Sequence, residues 1–272
     1  MALLKNRDQE TLYSSASCAV ELTGVSKQYG QKEAVAPLSL SINPGERVAF
    51  LGPSGGGKTT LLRLLSGQLE TSTGTIMLCH RDLATMPTGH EVSQLVGMIH
   101  QQFDLVPNLS ALQNALAGQL GEWSLLKSLV SLVWPLNRGI GLSALARVGV
   151  EGIAYQRAGS LSGGEQQRVA IARLLVQDPQ VILADEPVSS LDPARAGEVL
   201  QLLVGIAEEA GKTLIASMHS VELAREHFSR LIGLRNGVVI FDLPSHEVTE
   251  DMLHDLYDLY DLYDLQGLRA EA

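Results

Sequence analysis

Gly52-Pro53-Ser54-Gly55-Gly56-Gly57-Lys58-Thr59-Thr60 is the stretch whose reading decides the fold. The apolar run Arg47-Val48-Ala49-Phe50-Leu51 before it reads as a buried strand, and Leu61-Leu62-Arg63-Leu64-Leu65 after it as the first turns of a helix. Strand, then G-x-x-x-x-G-K-[ST], then helix is the context that a phosphate-binding loop requires. Glycines let backbone N–H groups turn inward around a phosphate without Cβ clashes. The helix start adds unpaired N–H groups and the positive end of its dipole. Lys58 suits the outer phosphates, and the Thr59 hydroxyl suits Mg²⁺. An ordinary glycine-rich turn would not need strand, lysine and threonine in this register. The stretch is a nucleotide site.

Working outward, two further strands end in chemistry. Val181-Ile182-Leu183-Ala184-Asp185-Glu186 is an apolar run closed by two carboxylates, the pattern of a buried parallel strand whose C-terminal end meets a ligand. Neighbouring side chains on a strand point opposite ways, so Asp185 and Glu186 have different tasks. One is expected to hold Mg²⁺ through water and the other to polarise a nucleophilic water. Thr213-Leu214-Ile215-Ala216-Ser217-Met218 is a second buried run and delivers His219, a candidate γ-phosphate sensor at the same sheet edge. Val96-Gly97-Met98-Ile99-His100 reads as another strand, with Gln101 leaving it within reach of Mg²⁺ or the attacking water. Leu161-Ser162-Gly163-Gly164-Glu165 opens an amphipathic helix through Val176. Ser162 and Glu165 have capping-box spacing, while the two glycines are more than a cap needs and make an anion site at the helix start.

Elsewhere the chain supplies the frame. Val20 to Val25 and Leu38 to Ile42 alternate as strands, with Tyr29 an aromatic in the turn between them, either a packing residue or a face for adenine. Thr75-Ile76-Met77-Leu78 adds a short strand, giving an antiparallel layer beside the nucleotide. Residues 104–158 turn helical, with Leu109, Leu112, Leu116 and Leu120 spaced for one face and Trp123, Leu126, Leu129, Val130, Val133 and Trp134 forming a second apolar segment. Ser189-Ser190-Leu191-Asp192-Pro193 reads as a turn before a helix that ends at Gly211, and Arg235-Asn236-Gly237 joins two apolar strands as a hairpin.

Composition sets the class. The chain has 272 residues, 45% hydrophobic and 18% charged, with a formal charge of −10. That suits a globular protein with a sizeable core and, without a Lys/Arg run, gives no footprint for nucleic acid. Cys18 and Cys79 lie far apart without a metal-ligand pattern, which points to a reducing, cytoplasmic compartment. Residues 1–17 mix charge and Ser without an apolar core and read as a mobile leader, not a signal peptide. Residues 125–136 are too short a run to span a bilayer, so any membrane work requires another chain.

With the loop at 52–59, the helix start at 161–165 and the carboxylates Asp185 and Glu186 in their order, the chain resembles an ABC-type ATPase over roughly residues 20–256. The resemblance implies an α/β fold: a P-loop NTPase core with a parallel sheet, an antiparallel β subdomain and a helical subdomain over about 104–176, the whole domain covering 18–256. It implies ATP and Mg²⁺ as ligands. Tyr29 would stack on adenine, and Lys58 would bind the phosphates. Thr59, Gln101 and Asp185 would serve the metal, Glu186 the attacking water and His219 the γ-phosphate. The signature Ser162, Gly163, Gly164 and Glu165 would close over the nucleotide of a second, head-to-tail subunit, with Asp192 in the loop that couples the two sites. A homodimer, or a pair with a similar partner chain, is implied, held at the cytoplasmic face of the membrane by transmembrane permease subunits seated near residues 101–104 and the helical segment, and indirectly served by a substrate-binding protein.

Ala158-Gly159-Ser160-Leu161-Ser162-Gly163-Gly164, Leu183-Ala184-Asp185-Glu186-Pro187-Val188, and Leu231-Ile232-Gly233-Leu234-Arg235 with Phe241-Asp242 are similar to the ATPases of phosphonate importers. Importers of phosphite and phosphate share the look. The competing expectations are a lipoprotein-release or other exporter ATPase, a soluble accessory ATPase of phosphonate breakdown, and a nucleotide-binding regulator without turnover. His100 and Met218 depart from the family's usual residues at places that carry no catalytic role. So does the tail. Leu253, Leu256, Leu259, Leu262, Leu265 and Leu268 recur every third residue, a spacing that drifts about 60° per step around a helix. Residues 257–272, an acidic Asp-Leu-Tyr repeat, are therefore expected to be exposed or frayed, with only the first turns before them packed.

Overall fold

The computed structural model describes residues 19–86, 89–122, 137–189 and 191–257. The expected leader, the Trp123–Trp134 apolar segment and the repeat beyond Tyr257 lie outside the described residues.

The described chain opens as a hairpin of β1 (Val20–Tyr29) and β2 (Lys32–Ile42), with Val20 opposite Ile42 and Tyr29 opposite Lys32. Strand β3 (Arg47–Leu51) leads into the phosphate loop, and helix α1 (Lys58–Leu65) leaves it. Strands β4 (Thr73–Leu78) and β5 (Arg81–Asp82) join the opening hairpin in an antiparallel sheet of order β2-β1-β4-β5. This is the antiparallel layer that the sequence predicts. Helix α2 (His90–Leu95) precedes β6 (Val96–Ile99), and helices α3 (Ala111–Leu116) and α4 (Arg138–Arg147) follow in the helical region. Helix α5 (Gly163–Gln177) then leads to β7 (Val181–Asp185), α6 (Pro193–Glu209) to β8 (Thr213–Ser217), and α7 (Val221–His227) to the hairpin β9 (Arg230–Arg235) and β10 (Val238–Pro244). Helix α8 (Glu250–Tyr257) comes last among the described residues.

The larger sheet has the order β10-β9-β3-β8-β7-β6, parallel throughout except for β10. Side chains alternate along a strand, so each inner strand feeds two cores. Val48, Phe50, Val181, Leu183, Ile215 and Ile232 pack with Leu61, Leu62, Leu64 and Leu65 of α1 and with Leu22, Ile42 and Leu78 of the antiparallel sheet. Ala49, Leu51, Ile182, Ala184, Leu214 and Ala216 pack on the other side with residues of α3, α4, α5, α6 and α8. Burial on both faces is why these strands read as unbroken apolar runs. Five parallel strands, β3, β6, β7, β8 and β9, thus end at one edge, where α/β sheets bind ligands.

Two local outcomes follow from backbone geometry. Asn236 and Gly237 have φ of 50° and 78°, the left-handed pair that a tight hairpin turn demands and that Asn-Gly provides. Leu112 and Leu116 are buried as their spacing predicts, but Leu120 is 41% exposed. Helix α3 stops at Leu116 and a 3₁₀ segment, Ala117–Glu122, takes over. Its tighter winding changes the period from 3.6 to 3 and turns Leu120 off the expected face.

Candidate nucleotide site

Beside the strand ends lies a cavity of about 280 Å³, lined by Tyr29, Lys32, Ala34, loop residues 54–60 and Glu186, while Gln101, Asp185 and His219 stand outside its lining. Tyr29 is 49% exposed at the rim, with the Lys27 ammonium 5.4 Å from its ring centroid. Tyr29 is thus a half-exposed residue of the cavity rim and not a core residue. A second cavity of about 370 Å³ lies on the other side of Glu186 and His219. Its walls include Val188, Leu191, Met218 and Leu223, which suit no phosphate.

The loop is shaped by its surroundings. A Cβ on Gly52 would lie 1.9 Å from the Leu234 carbonyl oxygen, and one on Gly57 would lie 2.8 Å from the Ala34 carbonyl oxygen. Only glycine fits these approaches, and φ of 138° and 105° at the two positions says the same. The turn of the last hairpin presses on the loop from outside: the Gly237 N–H donates to the Gly56 carbonyl at 3.0 Å. Lys58 is buried, and its ammonium donates to the Gly52 and Pro53 carbonyls at 2.6 and 3.0 Å. Burial pushes the Lys58 ammonium below the ordinary lysine value, while Glu186 and then Asp185 pull it back up.

Behind Lys58 stands an oxygen cluster. The Thr59 hydroxyl donates to Asp185 Oδ1 at 3.0 Å, and Ser217 Oγ donates to the same oxygen at 2.7 Å. Ser217 Oγ also accepts the Glu186 N–H at 2.8 Å. Strand β7 ends at Asp185, and Glu186 takes a left-handed φ of 48°. The two carboxylates therefore part company, as the sequence reading expects: Asp185 faces Thr59, and Glu186 Oε1 lies 2.5 Å from His219 Nε2. Gln101 is exposed and donates to Ser189 Oγ at 3.3 Å, which places it beside the turn after Glu186 and not in the Thr59–Asp185 pair. Sequence reasoning missed Ser217. A serine in an otherwise apolar run, opposite Asp185 in the register, is the signal that would have found it.

The signature lies at the start of α5. Ser162 caps the helix: its side chain accepts the Glu165 N–H, and Glu165 accepts from the Ser162 N–H and hydroxyl at 2.8 Å. The Ser162 hydroxyl and N–H hold the Glu165 carboxyl below its ordinary value. None of the four signature residues lines the phosphate cavity of their own chain. Asp192 caps α6 by accepting the Arg195 N–H at 3.2 Å.

Residues 35–189 match the family described as ABC transporter. The chain belongs to the ABC transporter family. It is 46% identical over 229 residues to phosphonates import ATP-binding protein PhnC 1 of Pseudomonas aeruginosa, covering 84% of this chain and 85% of the relative. It is 42% identical over 246 residues to a protein of the same name from Nostoc sp., covering 89% and 93%. Among solved structures it is similar to a dimeric ATP-binding cassette in a post-hydrolysis state with ADP and Pi. That match has a TM-score of 0.72 at 31% identity, over 83% of this chain and 98% of the other. A second is CbiO1 of Clostridium perfringens, part of the ABC transporter complex CbiONQ, with a TM-score of 0.74 at 25% identity over 93% and 100%. The two sheets and the helical region are the ABC ATPase fold. Among the described residues, no helix is long and apolar enough to cross a membrane.

Proposed function

We propose that this chain is the ATP-hydrolysing subunit of an importer for phosphonate or a related phosphorus oxyanion. The observation that carries the ATPase reading is the convergence of Lys58, Thr59, Asp185, Glu186 and His219 at one sheet edge beside a phosphate-sized cavity. In this reading adenine stacks on Tyr29, and Lys58 with the loop N–H groups holds the phosphates. Thr59 and Gln101 would ligate Mg²⁺ and Asp185 would hold it through water, and the ion would neutralise charge on the phosphate oxygens. A hydroxyl and a carboxylate in direct contact are the hard oxygen donors that ion takes. Glu186 takes the proton of the attacking water, and His219 orients that carboxylate and meets the γ-phosphate. The signature residues serve a second chain docked head to tail, with Asp192 in the loop between the sites; the dimeric structural relative supports this arrangement. Permease subunits seat the pair at the cytoplasmic face of the membrane, near residues 101–104. The oxyanion is drawn from the relatives, which are named as phosphonate importers.

Two experiments test the reading. Glu186→Gln is expected to lower ATP turnover by about 100-fold or more while leaving ATP binding intact, the effect of removing a general base; turnover at the parent rate overturns the role of Glu186. In phosphate-starved cells lacking the gene, uptake of a labelled simple phosphonate should vanish, returning with the parent gene but not with Glu186→Gln. Uptake that persists while breakdown fails would instead make this an accessory ATPase. If neither changes, the substrate is wrong.

A further inference from the structure

Tyr257 is the last described residue of helix α8, and its side chain reaches the first residue of the phosphate loop: the Gly52 N–H donates to the Tyr257 hydroxyl at 3.2 Å. Gly52 sits close against β9: a Cβ there would overlap the Leu234 carbonyl. The carbonyl of the same residue accepts from the Lys58 ammonium at 2.6 Å. One glycine thus stands between a tyrosine hydroxyl and the lysine that faces the phosphates.

The helix that carries Tyr257 is well anchored. Leu253 and Leu256 are buried against the core that includes Ala49 and Leu51 of β3. Arg235 Nη1 donates to the Asp255 carbonyl at 2.6 Å. Arg235 also begins the hairpin turn whose Gly237 holds Gly56. Helix α8 and the turn are therefore tied to each other and hold the loop at its first residue and at its middle. Burial pushes the Tyr257 phenol above its ordinary value, against a smaller pull from the Gly52 bond, so the hydroxyl stays protonated at neutral pH.

We propose that Tyr257 is a positioning residue for the phosphate loop: its hydroxyl fixes the Gly52 peptide, and through it the Lys58 contact, tying the C-terminal helix to nucleotide affinity. The inference rests on the nucleotide reading of the loop. Because linkage is reciprocal, a helix that favours the phosphate-ready loop must itself be tightened by bound nucleotide. A tyrosine that only packs would have neither property.

The test uses the full chain with MgADP and MgATP as probes. MgADP is expected to slow amide exchange across residues 250–257 of the parent. In Tyr257→Phe, which keeps the ring and its packing, that protection should disappear. KM for MgATP should rise about fivefold or more with kcat held within about twofold, as expected when one partly buried N–H loses its acceptor. Unchanged exchange across α8 in the parent on binding MgADP overturns the proposal without reference to any variant. So does a Tyr257→Phe chain with parental KM and parental protection. If the parent binds neither nucleotide, measured by thermal shift, the nucleotide reading itself falls and takes this inference with it.

Discussion

At the phosphate loop a methyl group on Gly52 would lie 1.9 Å from the Leu234 carbonyl oxygen, one on Gly56 2.6 Å from the same oxygen, and one on Gly57 2.8 Å from that of Ala34. At the start of α5 a methyl group on Gly163 or Gly164 would meet nothing within 4 Å. The first set of glycines is demanded by the chain's own backbone. The second is demanded by nothing the chain supplies, and glycine is a poor helix residue, costing about 1 kcal/mol against alanine in a helix interior. In the proposed reading such residues serve a molecule that approaches the helix start closely from outside. On that reading the contrast separates a half-site that the fold builds from a half-site offered to a second chain.

Substitution can break or sharpen that contrast. The largest effect is expected at Gly52→Ala, where strained backbone and a clash with Leu234 should together exceed about 4 kcal/mol. For a chain of this size that lowers Tm by about 10 °C or more, measured by calorimetry; a Tm near the parent's would mean the loop is not built by its neighbours. Gly164→Asp should leave Tm within about 2 °C, since an acidic residue suits the first helical turn. It should nevertheless remove ATP turnover, because it sets a carboxylate where a phosphate would lie. Mixing Gly164→Asp with Lys58→Ala chains sharpens the point. Each mutant alone should be inactive, while a head-to-tail pair rebuilds one intact site and recovers turnover. No recovery would place both halves of the site in one chain.

Smaller effects probe the supports. Ser217→Ala leaves the Glu186 N–H without its acceptor and Asp185 with only the Thr59 hydroxyl of its two donors, and should cost about 1–3 kcal/mol of stability. Its activity should fall as well, because Asp185 loses its register with Thr59; a stable, fully active variant would make Ser217 incidental. Ser162→Ala should cost about 1 kcal/mol at neutral pH through the lost cap. The Glu165 carboxyl lies below its ordinary value when folded, so its contribution is present above that value and fades as pH falls through the folded pKa. The gap between thermal melts of the parent and Ser162→Ala should therefore narrow in acid, leaving the part due to the Glu165 N–H bond, which does not titrate. Curves that stay parallel would show that Ser162 does not hold Glu165.

Most of the sheet was legible because its inner strands are buried on both faces and announce themselves as unbroken apolar runs. Each hands its next residue to the same edge, so Lys58, Asp185, Glu186 and His219 could be grouped before any coordinates. Asn236-Gly237 was legible because few other pairs accept its backbone. What escaped depends on neighbours far away in sequence. Ser217 matters through the residue opposite it on β7, and Gln101 bonds to a turn that begins after Glu186. Leu120 follows a change of helical winding that periodicity cannot anticipate. Tyr257 looked like the first member of a repeat. Its place beside Gly52 follows from how α8 docks, which no local pattern encodes.

The position of β3 has a consequence for how the protein is made. Its register partners are residues 214–217 on one side and 230–233 on the other, and the loop it feeds is held by Gly237 and Tyr257. At about 5–20 residues per second, a ribosome that has just delivered Thr60 takes roughly ten to forty seconds to deliver the last of these. Throughout that interval the nascent chain carries every residue of the loop and Ala34, but not the full set of walls that shape it, which closes only with Tyr257. The complete loop environment is a property of the finished chain.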